Sequence, residues 1–277
     1  MRTKGRWGGR GWLYGVVAIV LAVLFFPVYW MFNTSLAPTD QIYVYPPRLI
    51  HPHATFAAYA KVVRERPIGR WLLNSSIVVV ASGIYSLVVG TLAGYSLSRI
   101  RTRVGGMFAH LLLGSRMLPT TLLVIPLFVF MSTFHFTDTL WSVVIANVTF
   151  TLPFATWMLK GYFDSIPREL DEAAYIDGSS RLGALGRIIV PLAAPGIAAT
   201  ALYSAILAWD EYLFARTFLT TASTWTISVG LGSFRGEYVT YWNEVMAASL
   251  IGTLPIIAIF LVLERQLVSG LTAGAVK

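Results

Sequence analysis

The sequence of 277 residues contains no cysteine. The chain therefore has neither a disulfide framework nor thiolate chemistry, and metal sites built on cysteine are excluded. Charged residues are also scarce, at 12% of the chain, whereas an average soluble domain has about a quarter. The hydrophobic share of 56% and the mean hydropathy of +0.67 indicate a protein embedded in a membrane.

Sequence motifs of nucleotide-binding and catalytic sites are missing as well. None of the four lysines lies in a GxxxxGK[ST] loop, whose backbone amides and lysine bind nucleotide phosphates. The sequence has no HExxH zinc motif and no GxSxG nucleophile elbow, and its four histidines lack ligand spacing. Ser115 and His110 leave an intramembrane hydrolase as an alternative, although packing explains both residues more simply. We therefore expect no catalytic residue, no metal site and no cofactor in this chain, and no binding of nucleic acid.

Six apolar segments are long enough to cross the hydrocarbon core of a bilayer, which takes about 20 residues in a helix. A cleaved signal peptide is the alternative for the first segment, but its apolar run exceeds the 7–15 residues typical of such signals. The sequence thus predicts an all-α membrane protein with a tail at 1–11, a six-span domain at 12–267 and a tail at 268–277. The spans lie within 11–39 and 71–98, and near 107–134, 140–159, 192–215 and 245–263.

Prolines and small residues inside the spans suggest how the helices are shaped and packed. A proline removes a backbone hydrogen bond, so kinks that enclose a cavity are one interpretation, and proline tolerated by neighbouring helices is the other. Gly90 and Gly94 match GxxxG, a motif for close packing of helices. The prolines concerned are Pro119 and Pro126 in the third span, Pro153 in the fourth and Pro255 in the sixth.

The distribution of Lys and Arg predicts the orientation. Thirteen of these residues lie in the two tails and the even-numbered loops, and seven lie on the opposite side. By the positive-inside rule both termini and the segment between the fourth and fifth spans are cytoplasmic, in a cell membrane. The loop after the first span argues locally for the reverse, because it holds Arg48, Lys61, Arg64, Arg66 and Arg70.

A charged stretch with many small residues, EAAYIDGSSRLGALGRIIVP at 172–191, separates the fourth and fifth spans. We expect Ser165 to cap a helix with Pro167 in its first turn, and Asp177-Gly178 to end that helix. Ala173 and Ala174 would give a smooth face for the approach of another protein; a helix pair lying on the bilayer is the alternative. A second helix from Ser179 or Ser180 would align Leu182, Leu185, Ile188 and Ile189.

These residues resemble a known family. Glu172-Ala173-Ala174, Gly178 six residues after the glutamate, Ile188 and Pro191 are similar to the EAA motif of permease subunits in binding-protein-dependent ABC importers. Val190 departs from that motif, where leucine is usual. Further segments resemble the carbohydrate importers, specifically the subunit typified by the smaller permease of the maltose importer. They are Trp71-Leu72-Leu73-Asn74-Ser75, Met117-Leu118-Pro119, Trp209-Asp210-Glu211 and the tail GLTAGAVK at 270–277; Asp210 stands where asparagine is common.

The resemblance implies a type I ABC importer permease fold and a set of partners. These are a second homologous permease, two ATPase subunits that bind ATP and Mg, an external solute-binding protein, a sugar and membrane lipid. It also implies that the loop 164–191 docks on an ATPase as a coupling helix, and that the tail reaches between the ATPases. The docking residues would be Glu172, Ala173, Ala174, Asp177, Gly178, Ile188 and Pro191, and those of the tail Gly270, Leu271, Thr272 and Gly274.

Two further groups of residues have alternative interpretations. In the external loop 219–243, Trp225, Phe234, Tyr238 and Trp242 either enter the binding protein or anchor the chain at the membrane interface. Ionisable residues inside spans are functional candidates by default, so Arg116, Asp210 and Glu211 either line the path of the solute or include an ion pair from Arg116 to Asp210 or Glu211. Asn147 is a further candidate for the path. An ion-coupled secondary transporter using Asp210 and Glu211 is the rival function. The sequence does not identify the solute.

Overall fold

The computed structural model describes residues 11–100, 102–236 and 239–275, and of Gly11 and residues 267–275 only the backbone. All regular structure in these residues is helical, as predicted, with a 3-10 turn at Thr39–Gln41 and a π-helical turn at Leu185–Ile189. The helices are α1 (Gly11–Ser35), α2 (Ala57–Glu65), α3 (Ile68–Arg99), α4 (Arg103–Ser115), α5 (Thr120–Thr133), α6 (Leu140–Asp164), α7 (Glu169–Ile176), α8 (Arg181–Ala184), α9 (Val190–Leu192), α10 (Ala194–Asp210), α11 (Leu213–Phe218), α12 (Ile227–Gly232) and α13 (Trp242–Ala275).

Four helices are long and apolar enough to cross a membrane unbroken. They are α1 from Trp12, α3, α6 and the part of α13 that ends at Gln266. Counting each of two bent helix pairs as one span gives up to six. The predicted first, second, fourth and sixth spans are therefore continuous helices, and Pro153 and Pro255 lie inside two of them.

The predicted third span is not one helix. α4 and α5 meet at an angle of 100° across the residues that follow Ser115. Pro119 lies at the N-terminal cap of α5, not in its interior. Because a residue before proline avoids the helical region, Leu118 is a poor position for continuing α4. The break therefore follows from the Leu118-Pro119 step, whereas Pro126 is accommodated within α5.

The predicted fifth span is also shorter than expected. α10 has 17 residues and is bent by 79° from the preceding segment Arg181–Leu192. It ends at Asp210, and α11 begins three residues later. The carboxylate of Glu211 accepts hydrogen bonds from the backbone N–H groups of Phe214 at 2.6 Å and Ala215 at 2.8 Å. Glu211 thereby caps the first turn of α11 and favours a new helix over continuation of α10.

The chain divides into two compact units. The smaller one comprises the described residues up to 68 and those within 233–252. In it Asn243 donates to the carbonyl of Ala37 at 3.1 Å, and Lys61 pairs with Glu244 at 2.7 Å. The larger unit comprises the described residues within 69–232 and after 252.

In the larger unit α3 and α6 pack closely. A Cβ placed on Gly90 would lie 3.1 Å from that of Ala155, and one on Gly94 would lie 3.0 Å from the backbone of Lys160. Ser86, one turn earlier, shares a hydrogen bond of 2.7 Å with Thr151. The GxxxG prediction is confirmed, because any side chain at these glycines would separate the two helices.

Candidate functional site

The segment between α6 and α10 forms a short helical hairpin, α7 followed by α8. Gly178 has φ of +83°, a left-handed conformation that glycine adopts without steric cost, and it ends α7 as predicted. Ser180 caps α8, since its Oγ accepts from the N–H of Gly183 at 3.1 Å. The predicted cap at Ser165 is wrong: its hydroxyl donates to Tyr162 at the end of α6. Pro167 precedes α7, because the first helical residue is Glu169.

One face of α7 is buried against the rest of the larger unit. Asp171 and Ala174 lie on it, one turn apart. The carboxylate of Asp171 accepts from the hydroxyl of Tyr95 at 2.5 Å and from Nε of Arg99 at 2.7 Å. Ala174 is 2% exposed, so the prediction that it forms a face for a partner is wrong. The small methyl group of Ala174 instead allows α7 to pack closely against other parts of the same protein.

Two arginines join the hairpin to the ends of the neighbouring spans. Arg99 donates to the carbonyls of Phe163 at 2.9 Å and Ile166 at 3.2 Å, beyond the pair with Asp171. Arg168 donates to the carbonyl of Ser98 at 2.6 Å. These donors satisfy carbonyls that a helix terminus otherwise leaves without partners. The ends of α3 and α6 are thus fixed to the start of α7.

The second half of the hairpin shows how the predicted apolar stripe changes. Leu185 and Ile189 are buried in a cluster with Tyr95, Leu159, Phe163 and Ala193, and Ile188 and Val190 pack against it. Leu182 is 69% exposed. Leu182 lines a cavity together with Leu185 but lies outside the buried cluster. The π-helical turn at Leu185–Ile189 comes after it.

The opposite side of the hairpin is exposed. Ile176 at its tip is 86% exposed, and together with Leu182 it gives an apolar edge beside charged groups. Exposed apolar residues grouped in this way are typical of an interaction site. Sequence reasoning missed Ile176, although an isoleucine directly before Asp-Gly was a readable signal. Of the predicted docking residues, those exposed here are Glu172, Ala173, Asp177, Gly178 and Pro191, whereas Ile188 is partly buried.

A second site lies where the break between α4 and α5 meets the end of α10. Its cleft of about 300 Å³ is lined from these two places and from α6, whereas the 79° bend lies at the other end of α10. Discontinuous helices that line a cavity are typical of transport sites in membranes. Of the four residues predicted for a solute path, Arg116, Asn147 and Glu211 line the cleft. Asp210 is exposed at the end of α10 and is not among the described lining residues.

The charged groups in this cleft have different partners from those predicted. Nη1 of Arg116 donates to the carbonyl of Phe150 at 2.9 Å, and the guanidinium lies 5.3 Å from the ring centre of Phe154. Among the described residues Arg116 forms no ion pair with Asp210 or Glu211, so that interpretation is wrong. Glu211 is bound to the backbone of α11, and Arg116 to that of α6.

A third set of contacts fixes the loop after α11. Trp71 donates to the carbonyl of Ala222 at 2.9 Å, and Asn74 to that of Ser223 at 2.9 Å. Asn74 also donates to the carbonyl of Trp225, and Ser75 accepts from the N–H of Ile227. The motif at the start of α3 therefore holds this loop in place. Sequence reasoning quoted the motif as part of the resemblance but gave it no role.

Asp138, before α6, holds the same loop and was also missed. Its carboxylate accepts from the N–H groups of Thr220 at 2.9 Å and Thr221 at 3.0 Å, and from the hydroxyls of Thr221 and Thr224. Burial alone would raise the pKa of this carboxyl, but the hydrogen bonds from these threonines outweigh it and lower the pKa to about 2.

The predicted external aromatic residues differ in their surroundings. Trp225 packs beside Trp71, with ring centres 6.0 Å apart, and Phe234 is buried with Arg66 over its ring. Phe234 is thus covered by its own chain, Trp225 is half-buried, and Trp242 is 40% exposed. Tyr238 lies outside the described residues, as do residues 1–10 of the predicted N-terminal tail.

The predicted C-terminal tail begins within a helix. The backbone of α13 continues through position 268 to Ala275. The side chains of Gly270, Leu271, Thr272 and Gly274 lie outside the described part of the chain.

Membrane-spanning helices, a cleft beside the break between α4 and α5, and a charged hairpin between two spans place this chain among multi-pass membrane transport proteins. The chain belongs to the family of binding-protein-dependent transport system inner membrane components, whose sequence profile matches residues 86–272.

Individual relatives extend the similarity over nearly the whole chain. The chain is 36% identical to the trehalose/maltose transport system permease protein MalG of Thermococcus litoralis, over 94% of each chain. It is 32% identical to the sulfoquinovosyl glycerol transport system permease protein SmoH of Agrobacterium fabrum, over 97% of this chain and 94% of that one. The fold matches a chain of a bacterial ABC transporter involved in the import of alginate, an acidic polysaccharide. The TM-score is 0.76 at 21% identity, with 96% of this chain and 99% of that one covered.

Proposed function

We propose that this chain is a permease subunit of an ATP-driven importer for a sugar or a closely related solute. Relatives that are named for trehalose and maltose or for sulfoquinovosyl glycerol and that align over nearly the full length support this solute class. The chain would pair with a second, homologous permease, two ATPase subunits that bind ATP and Mg, and an external binding protein. Both termini and the hairpin would then face the cytoplasm, where ATP is present.

The exposed edge of the hairpin is the observation that carries this proposal. Glu172, Ile176 and Leu182 are exposed, whereas Asp171 on the buried face of α7 is bonded to α3. An apolar edge beside a carboxylate suits a groove with a basic residue, since the ion pair adds a charge-assisted bond to apolar burial. In the proposed importer that groove belongs to an ATPase subunit.

The cleft beside the break between α4 and α5 is the proposed path of the solute. Arg116, Asn147 and Thr151 give its wall hydrogen-bonding groups, and Phe150 and Phe154 lie beside Arg116. Hydroxyl-rich solutes need such polar groups together with flat apolar surfaces. Alternating access would follow from rigid-body movement of the helices around this cleft, with closure of the ATPases favouring one state and hydrolysis restoring the other.

Uptake into proteoliposomes tests the function. The full importer, with its partner permease, ATPases and binding protein, should take up a radiolabelled sugar only when ATP and Mg are present on the side of the ATPases. Measuring the affinity of the cognate external binding protein for a panel of disaccharides, monosaccharides and sugar acids would identify the solute. Undiminished uptake by the permeases without ATPase subunits would instead identify an ion-coupled transporter.

A further inference from the structure

Two neighbouring carboxylates of α7 differ in their exposure. Asp171 is buried, and both of its hydrogen-bonded partners, Tyr95 and Arg99, belong to α3. Glu172 is exposed. Adjacent residues of a helix lie about 100° apart, so one carboxylate can be buried against α3 while its neighbour stays exposed. The two charges therefore have different surroundings.

Arg99 connects three parts of the larger unit through one side chain. It belongs to the last turn of α3, pairs with Asp171 of α7, and donates to the carbonyls of Phe163 and Ile166 at the end of α6. A planar guanidinium with several donors in fixed directions holds such a geometry better than a single point charge. The side chains of Arg99 and Asp171 are 10% and 5% exposed, so water replaces these bonds poorly when α7 shifts.

We propose that Asp171, together with Arg99 and Tyr95, is the link through which movement of the hairpin moves α3. This inference rests on the proposed docking of the hairpin on an ATPase. Glu172 holds the ATPase, and Asp171 makes α3 follow α7 as one rigid body. Asp171, Arg99 and Tyr95 are positioning residues, because they act through α3 and α7 and are not among the described residues that line the proposed solute cleft.

The division of roles predicts two distinct defects in the complete, reconstituted importer. Asp171→Asn keeps the shape of the side chain but removes its charge. It should leave the amount of copurified ATPase unchanged, while solute transported per ATP hydrolysed falls at least about fivefold. Tyr95→Phe removes a single oxygen and should lower the same ratio about twofold. The double variant should be no worse than Asp171→Asn, because the Tyr95 hydroxyl acts through the same carboxylate.

Two results would overturn the link. One is an unchanged ratio of transport to hydrolysis in both Asp171→Asn and Tyr95→Phe. The other is loss of bound ATPase from Asp171→Asn in proportion to the loss of transport, which would reduce Asp171 to holding the hairpin fold. Glu172→Lys tests the docking separately: it should release the ATPase, and full assembly and transport by that variant would refute the proposed docking.

Discussion

The indole ring of Trp71 fills the space directly beside Gly230. A Cβ built on Gly230 would lie 2.1 Å from Cε3 of Trp71. This distance is much too short for two carbon atoms that are not bonded to each other. Trp71 is itself buried and bonded to the loop that leads into α12. The start of α3 and the start of α12 therefore fit together only when position 230 has no side chain.

Gly230→Ala should accordingly destabilise the chain. The added methyl group forces the ring of Trp71 out of its site, at a cost of about 3 kcal/mol, the upper end for overpacked cores. Thermal unfolding of the purified chain in detergent measures the effect. Gly83→Ala is the matched control, because a Cβ on Gly83 in α3 meets nothing within 4 Å. Equal midpoints for the two variants would contradict this account of Gly230.

Substitutions at position 178 should be tolerated according to how readily the new residue adopts a left-handed backbone conformation. Gly178→Val places a β-branched side chain at φ of +83°, which costs about 1–2 kcal/mol locally. We expect it to distort the hairpin and reduce copurification of the ATPase. Gly178→Asn should stay close to wild type, because asparagine populates this region more readily. If both variants retain the ATPase equally, the turn does not set the docking geometry.

Asp138 should make the loop after α11 sensitive to acid. Its folded pKa of about 2 lies below the ordinary 3.8, so the ionised form stabilises the folded state. That contribution is complete above the ordinary pKa and is lost as pH falls from about 4 to 2. Asp138→Ala should lower stability at pH 7 by about 1 kcal/mol or more.

The pH dependence distinguishes this effect from a general loss of charge. The stability difference between wild type and Asp138→Ala should shrink below pH 4 in unfolding experiments. Asp40→Ala, which removes a carboxylate from an exposed 3-10 turn, should change stability little at either pH. A difference at position 138 that persists unchanged at pH 2 would show that its hydrogen bonds do not depend on ionisation.

Hydropathy was enough to find the continuous spans, because the bilayer permits a polar backbone only when a long apolar helix satisfies it. The hydrogen-bond acceptor of Arg116, beside the break between α4 and α5, could not be found in this way. That acceptor is the carbonyl of Phe150, 34 residues away. From the sequence, the expected partners of Arg116 were the charged side chains of Asp210 and Glu211. Every residue has a backbone carbonyl, so the sequence cannot indicate which carbonyl in another helix accepts the hydrogen bond.

The hairpin shows a limit of a different kind. Its turn at Gly178 and its exposed Glu172 follow from local chemistry and were predictable. Asp171 was not singled out from the sequence, although its spacing of three residues to Ala174 places both on one face of a helix. The π-helical turn could not be predicted from the sequence, because it depends on the packing of Leu185 and Ile189 against α3 and α6.

Glu211 should act through its hydrogen-bonding oxygens more than through its charge. Its carboxylate caps α11 by accepting from Phe214 and Ala215. Glu211→Ala removes the cap, and we expect it to lose about 1 kcal/mol of stability along with transport. Glu211→Gln keeps one acceptor oxygen and should transport within about twofold of wild type. A correctly folded Glu211→Gln chain without transport would instead assign the charge to the path of the solute or to ion coupling.

The absence of cysteine makes the orientation directly testable, since any single introduced cysteine is the only thiol. Ile176→Cys at the tip of the hairpin and Ile50→Cys after the first span both place it at exposed positions, 86% and 78% in the native side chains. In intact cells without the ATPase subunits, a membrane-impermeant maleimide should label Ile50→Cys at once. It should label Ile176→Cys only after permeabilisation. The reverse pattern would mean that the five basic residues at 48–70 decide the topology, and the hairpin would then face away from ATP.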